Sequence, residues 1–335
     1  MERVPGHSSR LTLVAPEGRL SAAAVTVAPV SPNAIDSAGL NQTERQTVQS
    51  ACALLHLEPS DAREKLSAGR SGALVVRCDS AGQRMVLKVT TDTARLTRAR
   101  SELDLISEGP TGLADLMPRY IAGHATSDMV CLATEEHQPL PHPRVISDEE
   151  WAALASSLGR LHNAPVPGLD LQAATAVDAS AVADAARFWA RLGCADDAQR
   201  AAHLVLRYDG TSDGPAPIRP VPEHGDCHTE NVVRDENGGL RWIDWEEARL
   251  GEGFSDLVFL WQRAEFAGAS PPREAMVDAY SSARNLNNDS RLHEALQVAE
   301  LRQLFISWPP FLSYGAAENR ERLMERLPRL IDSLS

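Results

Sequence analysis

The chain has 335 residues, 43% of them hydrophobic and 24% charged, and a formal net charge of −13. Its length favours two folding units over one core, and no apolar run approaches the ~20 residues of a helical membrane span. The acidic balance, concentrated in residues 146–335 with 18 Arg, no Lys and 30 Asp plus Glu, argues against nucleic acid, whose phosphates are bound by Lys and Arg.

Residues 1–40 mix short β-prone pieces, "RLTLVA" and "AAVTVA", with Pro, Ser and Asn, and an N-terminal arm or hairpin is expected there. The stretch "LSAAAVTVAPV" is too interrupted, with Glu17 upstream, to read as a secretory leader. "NQTERQTVQSACALLHL" (41–57) opens on a cap residue and repeats Val48, Cys52 and Leu55 at helical spacing. Two apolar runs around "DSAGQ" then predict a hairpin over 71–90, with Lys88 on its second strand. A helix follows over 94–109, with Leu96, Leu103 and Ile106 on one side, and "MVCLATEE" (129–136) reads as a buried strand entering the linker-like "HQPLPHP".

Beyond that point the pattern turns helical. "SDEEWAALASSLGRLHNAP" (147–165) begins with the capping-box pair Ser147 and Glu150, and further helices are expected at about 179–193, 273–285, 291–307 and 318–333. Five scattered cysteines, Cys52, Cys78, Cys131, Cys194 and Cys227, form no C-x-x-C pair, which points to a reducing cytoplasm.

Within the helical part lies one polar island, "HGDCHTENVV" followed by "WIDWEEARLG". "NVVR" and "RWIDW" flank the turn "DENGG", so Asn231 and Asp244 fall at adjacent ends of one hairpin, and Asp226 lies on the loop feeding it. Three converging oxygen-bearing side chains suit a hard cation such as Mg2+. The spacing Asp-x-x-x-x-Asn with a strand-end Asp is that of phosphoryl transfer, in which one Asp receives a hydroxyl proton and the other two residues hold metal. Other readings are weaker. His224, Asp226 and His228 alternate as a transition-metal set would, but no further His cluster completes one. Cys227 lacks the surroundings of a nucleophile and reads as a small packed residue. In "SWPPFLSYG", Trp308, Phe311 and Tyr314 could line an acceptor pocket, although helix-capping core is the plainer account.

The chain resembles the aminoglycoside phosphotransferase and choline kinase-like family over about residues 60–330. The resemblance rests on His224-Gly225-Asp226 with Asn231, on Ile243-Asp244-Trp245-Glu246, and on Gly251 through Asp256-Leu257. It implies an α+β, bilobal protein-kinase-like fold, with a strand-rich nucleotide-binding N-lobe (41–137) and a mainly helical catalytic and acceptor-binding C-lobe (138–335). It further implies ATP or GTP as donor, Mg2+ held by Asn231 and Asp244, Asp226 as catalytic base, and Asp256 as brace of the catalytic loop. Gly69, Ser71 and Gly72 of "LSAGRSGALVV" would cover the nucleotide, Lys88 would grip its phosphates and pair with Glu102, and Glu135 and Glu136 of "LATEE" would form the hinge at adenine. Gly225 stands where protein kinases carry Arg and no A-P-E follows Asp244, so a protein substrate is not expected. The expected partners are a nucleoside triphosphate and a small hydroxylated acceptor of antibiotic type. A primary metabolite such as choline, a sugar or homoserine is the alternative, and a nucleotide-binding pseudokinase the non-catalytic one.

Overall fold

The computed structural model describes residues 39–57, 64–66, 72–110, 112–165, 171–174, 176–210, 219–312 and 317–335. Most of the expected N-terminal arm, together with Gly69, Ser71 and Tyr314, lies outside the described residues. Helix α1 (Gln42–Leu54) starts at Asn41, whose side chain accepts from Glu44 N–H while the Glu44 carboxylate accepts from Asn41 N–H. That capping box satisfies two donors left over at the first turn.

Strands β1 (Glu64–Leu66), β2 (Leu74–Ser80) and β3 (Gln83–Thr90) are followed by helix α2 (Leu96–Glu108), β4 (Tyr120–Ala125) and β5 (Val130–Glu135). The strands form an antiparallel sheet in the order β1-β2-β3-β5-β4. Its register sets Lys88 between Val75 and Leu132 on the central strand. One face of the sheet, Val76, Cys78, Leu87, Val89, Cys131 and Ala133, closes against Val48, Ala51 and Cys52 of α1. On the other face, α2 sends Leu103 and Ile106 into a core shared with the C-lobe, so it cannot swing outward without opening that core.

"HQPLPHP" is more than a linker, because its β6 (Gln138–Pro139) pairs with Val233 and Arg234. Helices α3 (Asp148–Asn163), α4 (Ala179–Arg191) and α5 (Ala195–Gly210) precede β7 (Val221–Glu223), β8 (Val232–Arg234), β9 (Leu240–Trp242) and β10 (Arg249–Gly251). The short strands pair as β6-β8-β9 and β10-β7, which brings the two halves of the polar island together. Then come α6 (Phe254–Phe266), α7 (Arg273–Arg284), α8 (Ser290–Arg302), a π-helical turn at Gln303–Ser307, α9 (Pro309–Leu312) and α10 (Ala317–Leu334).

Trp189, Leu304, Phe305, Trp308 and Leu327 make a separate core for the outer helices. Trp308 is thereby a core residue, its indole N–H donating to Gln262 Oε1 at 2.6 Å. None of the helices among the described residues is long and apolar enough to cross a membrane.

Candidate functional site

Lys88 stands at the centre of a cluster of carboxylates. Its Nζ lies 2.7 Å from Glu102 Oε2 on α2, 2.5 Å from Asp244 Oδ1 and 2.8 Å from Glu246 Oε1, the last an ion pair without a directed hydrogen bond. Glu102 is the α2 carboxylate that makes this pair, as its place in "ELDLI" implied. Burial opposes the Lys88 charge, but the three carboxylates outweigh it and raise its pKa, so the side chain stays an ammonium. Burial raises the Glu102 carboxyl against the pull of Lys88.

Glu102 has a second task. Its Oε1 accepts from Trp245 N–H at 3.0 Å, tying α2 to the residue after Asp244. Asp244 itself sits at φ 64, ψ 63, a left-handed conformation that costs a non-glycine residue roughly 1 kcal/mol or more and is concentrated at functional sites. Ile243 N–H donating to Asn231 O at 2.9 Å fixes the other side of the turn. The carboxylate oxygens of Glu102, Asp244 and Glu246 lie within 4.8 Å of one another. With Lys88 and, 3.9 Å from Glu246 Oε2, Arg95 set against three acids, the cluster keeps an excess negative charge, which favours a hard cation.

The loop from β7 to β8 carries Asp226, and Asp256 at the start of α6 builds it. Asp256 Oδ2 accepts from His224 N–H at 2.7 Å and Oδ1 from Gly225 N–H at 3.0 Å, while the His162 ring meets Oδ2 at 3.1 Å. Burial would raise this carboxyl, yet His162, His224 and Arg249 hold its pKa down to about 2. Gly225 has φ +84, and a Cβ there would overlap the Glu247 carbonyl oxygen. That explains why glycine, and no larger residue, fills the position.

His224 is neutral by its bonding. Nε2 donates to the Ile243 carbonyl at 2.9 Å and Nδ1 accepts from Asp226 N–H at 3.3 Å, and burial lowers its pKa. The ring therefore links the Asp226 loop to the Asp244 turn. It packs on Trp242 and Trp245 with both nitrogens engaged, and among the described residues the alternating His-Asp-His set does not come close enough to hold a metal. Cys227 is buried and its thiol pKa is pushed well up by burial, the state of a packed residue.

Asn231 Nδ2 donates to both the backbone oxygen and Oδ2 of Asp226, each at 3.0 Å. Its carbonyl end stays available. Burial raises the Asp226 carboxyl, but His228 and Asn231 outweigh it and hold the group below its ordinary range, so it is an anion at neutral pH.

The structure thus brings Lys88, Glu102 and Asp244 into direct contact and joins Asp226 to Asn231. Gly72 lies at the entry to β2 with φ +66 and open space where a Cβ would be. Glu135 ends β5 and Glu136 follows it, with their side chains turned to Arg119 and Arg77 respectively. Beside them opens a cleft of about 730 Å3, lined by Arg84, Arg119, His137 and Arg241, which contains neither Lys88 nor Asp226. Sequence reasoning missed Glu223, whose carboxylate accepts from Gly253 N–H at 2.7 Å, Ser255 Oγ at 2.9 Å and Arg249 Nε at 2.9 Å. It also missed His162 and any role for Glu246. Only Glu246 had a signal, its place two residues after Asp244.

A sheet-rich lobe and a helical lobe meeting at a Lys–Glu pair, an Asp–Asn loop and a left-handed aspartate define the bilobal protein-kinase-like class. Macrolide 2'-phosphotransferase MphH from Brachybacterium faecium superposes with a TM-score of 0.57, 18% identity and coverage of 85% of this chain and 98% of that one. Spectinomycin phosphotransferase APH(9)-Ia, solved with ADP and spectinomycin, gives 0.57, 13%, 87% and 97%. The chain belongs to the phosphotransferase enzyme family, whose model matches residues 63–295. It is also 29% identical over 139 residues to thiamine kinase from Salmonella typhi, a match spanning 41% of this chain and less than half, 45%, of that relative.

Proposed function

We propose that this protein transfers the γ-phosphate of ATP or GTP to a hydroxyl of a small antibiotic-like molecule in the cytoplasm. The observation that carries the reading is the Asp226 carboxylate, anionic, with Oδ2 tied to Asn231, on a loop linked through His224 to the turn that presents Asp244 to Lys88. Residues 41–137 form the nucleotide-binding lobe and 138–335 the catalytic and acceptor lobe in this reading.

Asp226 takes the acceptor hydroxyl's proton as the oxygen attacks the γ-phosphorus; a new P–O bond forms, the β–γ bridging bond breaks and the diphosphate leaves. Lys88, kept charged by its carboxylates, holds the α and β phosphates. The glycine loop of Gly69, Ser71 and Gly72 covers the phosphates with backbone, and the segment at Glu135 and Glu136 meets the base. The carbonyl oxygen of Asn231 and the Asp244 carboxylate are hard donors that would hold Mg2+ in this reading, and Glu246, its Oε1 ion-paired to Lys88 at 2.8 Å, lies close enough to Asp244 to join them. When bound, that ion neutralises charge on the phosphate oxygens.

Two fold neighbours phosphorylate antibiotics by name, and the net charge of −13 would steer a cationic drug. The thiamine kinase match supports a second reading, a kinase of a small primary metabolite. Transfer from radiolabelled ATP to macrolides, spectinomycin, aminoglycosides, tuberactinomycin-type peptides, nucleoside antibiotics, thiamine, choline and homoserine decides between them. Inhibitory concentrations in a sensitive host follow up any antibiotic that is labelled. Labelling of a primary metabolite with no resistance to any drug class would select the second reading. Tight Mg-ATP binding with no transfer to any acceptor or to water would overturn both.

A further inference from the structure

We propose that His228 is a positioning residue that selects which oxygen of Asp226 takes the acceptor's proton, an inference that rests on the reading of Asp226 as the base. Residue 228 lies two positions beyond Asp226, with extended backbone of its own at φ −146 and ψ 164. The imidazole Nε2 reaches to 3.4 Å from Asp226 Oδ2. That is the oxygen that also accepts from Asn231 Nδ2 at 3.0 Å. The Asn231 hydrogen bond and the approach of His228 Nε2 both fall on Oδ2, which makes the carboxylate asymmetric. With the Asn231 bond alone, the carboxylate would retain freedom to turn about Cβ–Cγ and exchange its oxygens. A second donor from another direction removes that freedom and leaves Oδ1 directed at the incoming hydroxyl.

The ring is held for this task. Phe259 of α6 meets it edge-on, with centroids 6.2 Å apart and planes at 76°. A histidine retained only for packing would be expected to satisfy both nitrogens. Here Nδ1 is buried without a hydrogen-bond partner, with the exposed Glu230 carboxylate 3.7 Å away, so the shorter of the ring's two polar approaches is the one to Asp226.

The test uses the full chain and three substitutions. His228→Phe keeps the aromatic contact to Phe259 and removes the donor, His228→Ala removes both, and His228→Gln keeps an N–H near the position of Nε2. Turnover is followed as Mg-ATP hydrolysis with water as acceptor, and as transfer to any compound labelled in the acceptor screen. His228→Phe and His228→Ala are expected to lower kcat about 10- to 100-fold, the effect of a misplaced reacting group. The KM for Mg-ATP should stay within about twofold, since the nucleotide is held elsewhere. His228→Gln should recover most of the loss. Wild-type kcat in His228→Phe, or a fall in His228→Gln as large as in His228→Ala, would overturn the proposal, because packing would then account for the residue. A second readout needs no acceptor: in protein carrying 15N-labelled histidine, the His228 Nε2 resonance should shift on Asp226→Asn. An unmoved resonance overturns the proposal even where turnover is absent, whereas absent wild-type turnover with a moving resonance faults only the reading of Asp226 as base.

Discussion

Replacing Asp256 by asparagine tests how the Asp226 loop is built. The carboxylate, 1% exposed, accepts two successive backbone N–H groups, from His224 at 2.7 Å and Gly225 at 3.0 Å, and meets the His162 ring at 3.1 Å. Hydrogen bonds to a charged acceptor contribute about 1.5–3 kcal/mol each. An amide retains one acceptor oxygen and turns an NH2 toward the other backbone donor, so a loss of roughly 3–5 kcal/mol is expected, as for other broken buried charge contacts. The pKa gives an independent figure. A fall from 3.8 to about 2 corresponds to about 2 kcal/mol of folding free energy. Because the folded value is depressed, that contribution is complete above the unfolded pKa and is lost as pH falls from about 4 toward 2. Urea unfolding of both proteins by tryptophan fluorescence at pH 7 should show Asp256→Asn less stable by at least 2 kcal/mol, with the gap narrowing below pH 4. A difference under 1 kcal/mol at neutral pH, or a gap that does not change with acidification, would refute the argument that this buried carboxylate organises the loop.

Parts of this architecture are legible in the sequence because one local pattern determines them. The cap residue Asn41 and the pair Ser147 with Glu150 announce their helices, and a capping box forms at each. The hairpin over Leu74–Thr90 follows from two apolar runs around a turn, and it places Lys88 opposite Leu132 on the strand beside it. Other elements left faint signals. In α5 the buried stripe is Ala198, Ala201, Leu204 and Val205, half of it too small to mark a period. In α6 nearly every side is apolar, with Phe254, Leu257, Val258, Leu260, Trp261 and Ala264 all buried, and Gly253 offers no side-chain cap. Strand β4 is half-exposed and bulged between Tyr120 and Ala122. The hidden part of the site has one physical character. Glu223 and His162 are single polar residues whose partners lie 26 or more positions away, and no local spacing encodes a contact of that range; Asp256, with partners as distant, is reached only through the family resemblance. The residues proposed to meet substrate lie in compact motifs, while those that brace them are dispersed.

Asp226→Ala is expected to lower kcat by orders of magnitude with Mg-ATP affinity within a few-fold, measured by phosphate transfer and calorimetry, since it acts on the acceptor hydroxyl. Asp244→Ala should weaken Mg-ATP binding at least tenfold by calorimetry, and unchanged affinity would contradict its role at the metal. Gly225→Ala probes the approach of the Asp226 loop to the turn after Asp244. At φ +84 the alanine itself costs about 1–2 kcal/mol, and its Cβ overlaps Glu247 O, a backbone atom that cannot rotate aside as a side chain would. The loop must therefore back away from the turn, straining the His224 link to Ile243 and moving Asp226 off its line to the phosphate. A kcat at least tenfold lower with little change in Mg-ATP affinity is expected, and full activity in this variant would show that the close contact between loop and turn is not needed for transfer.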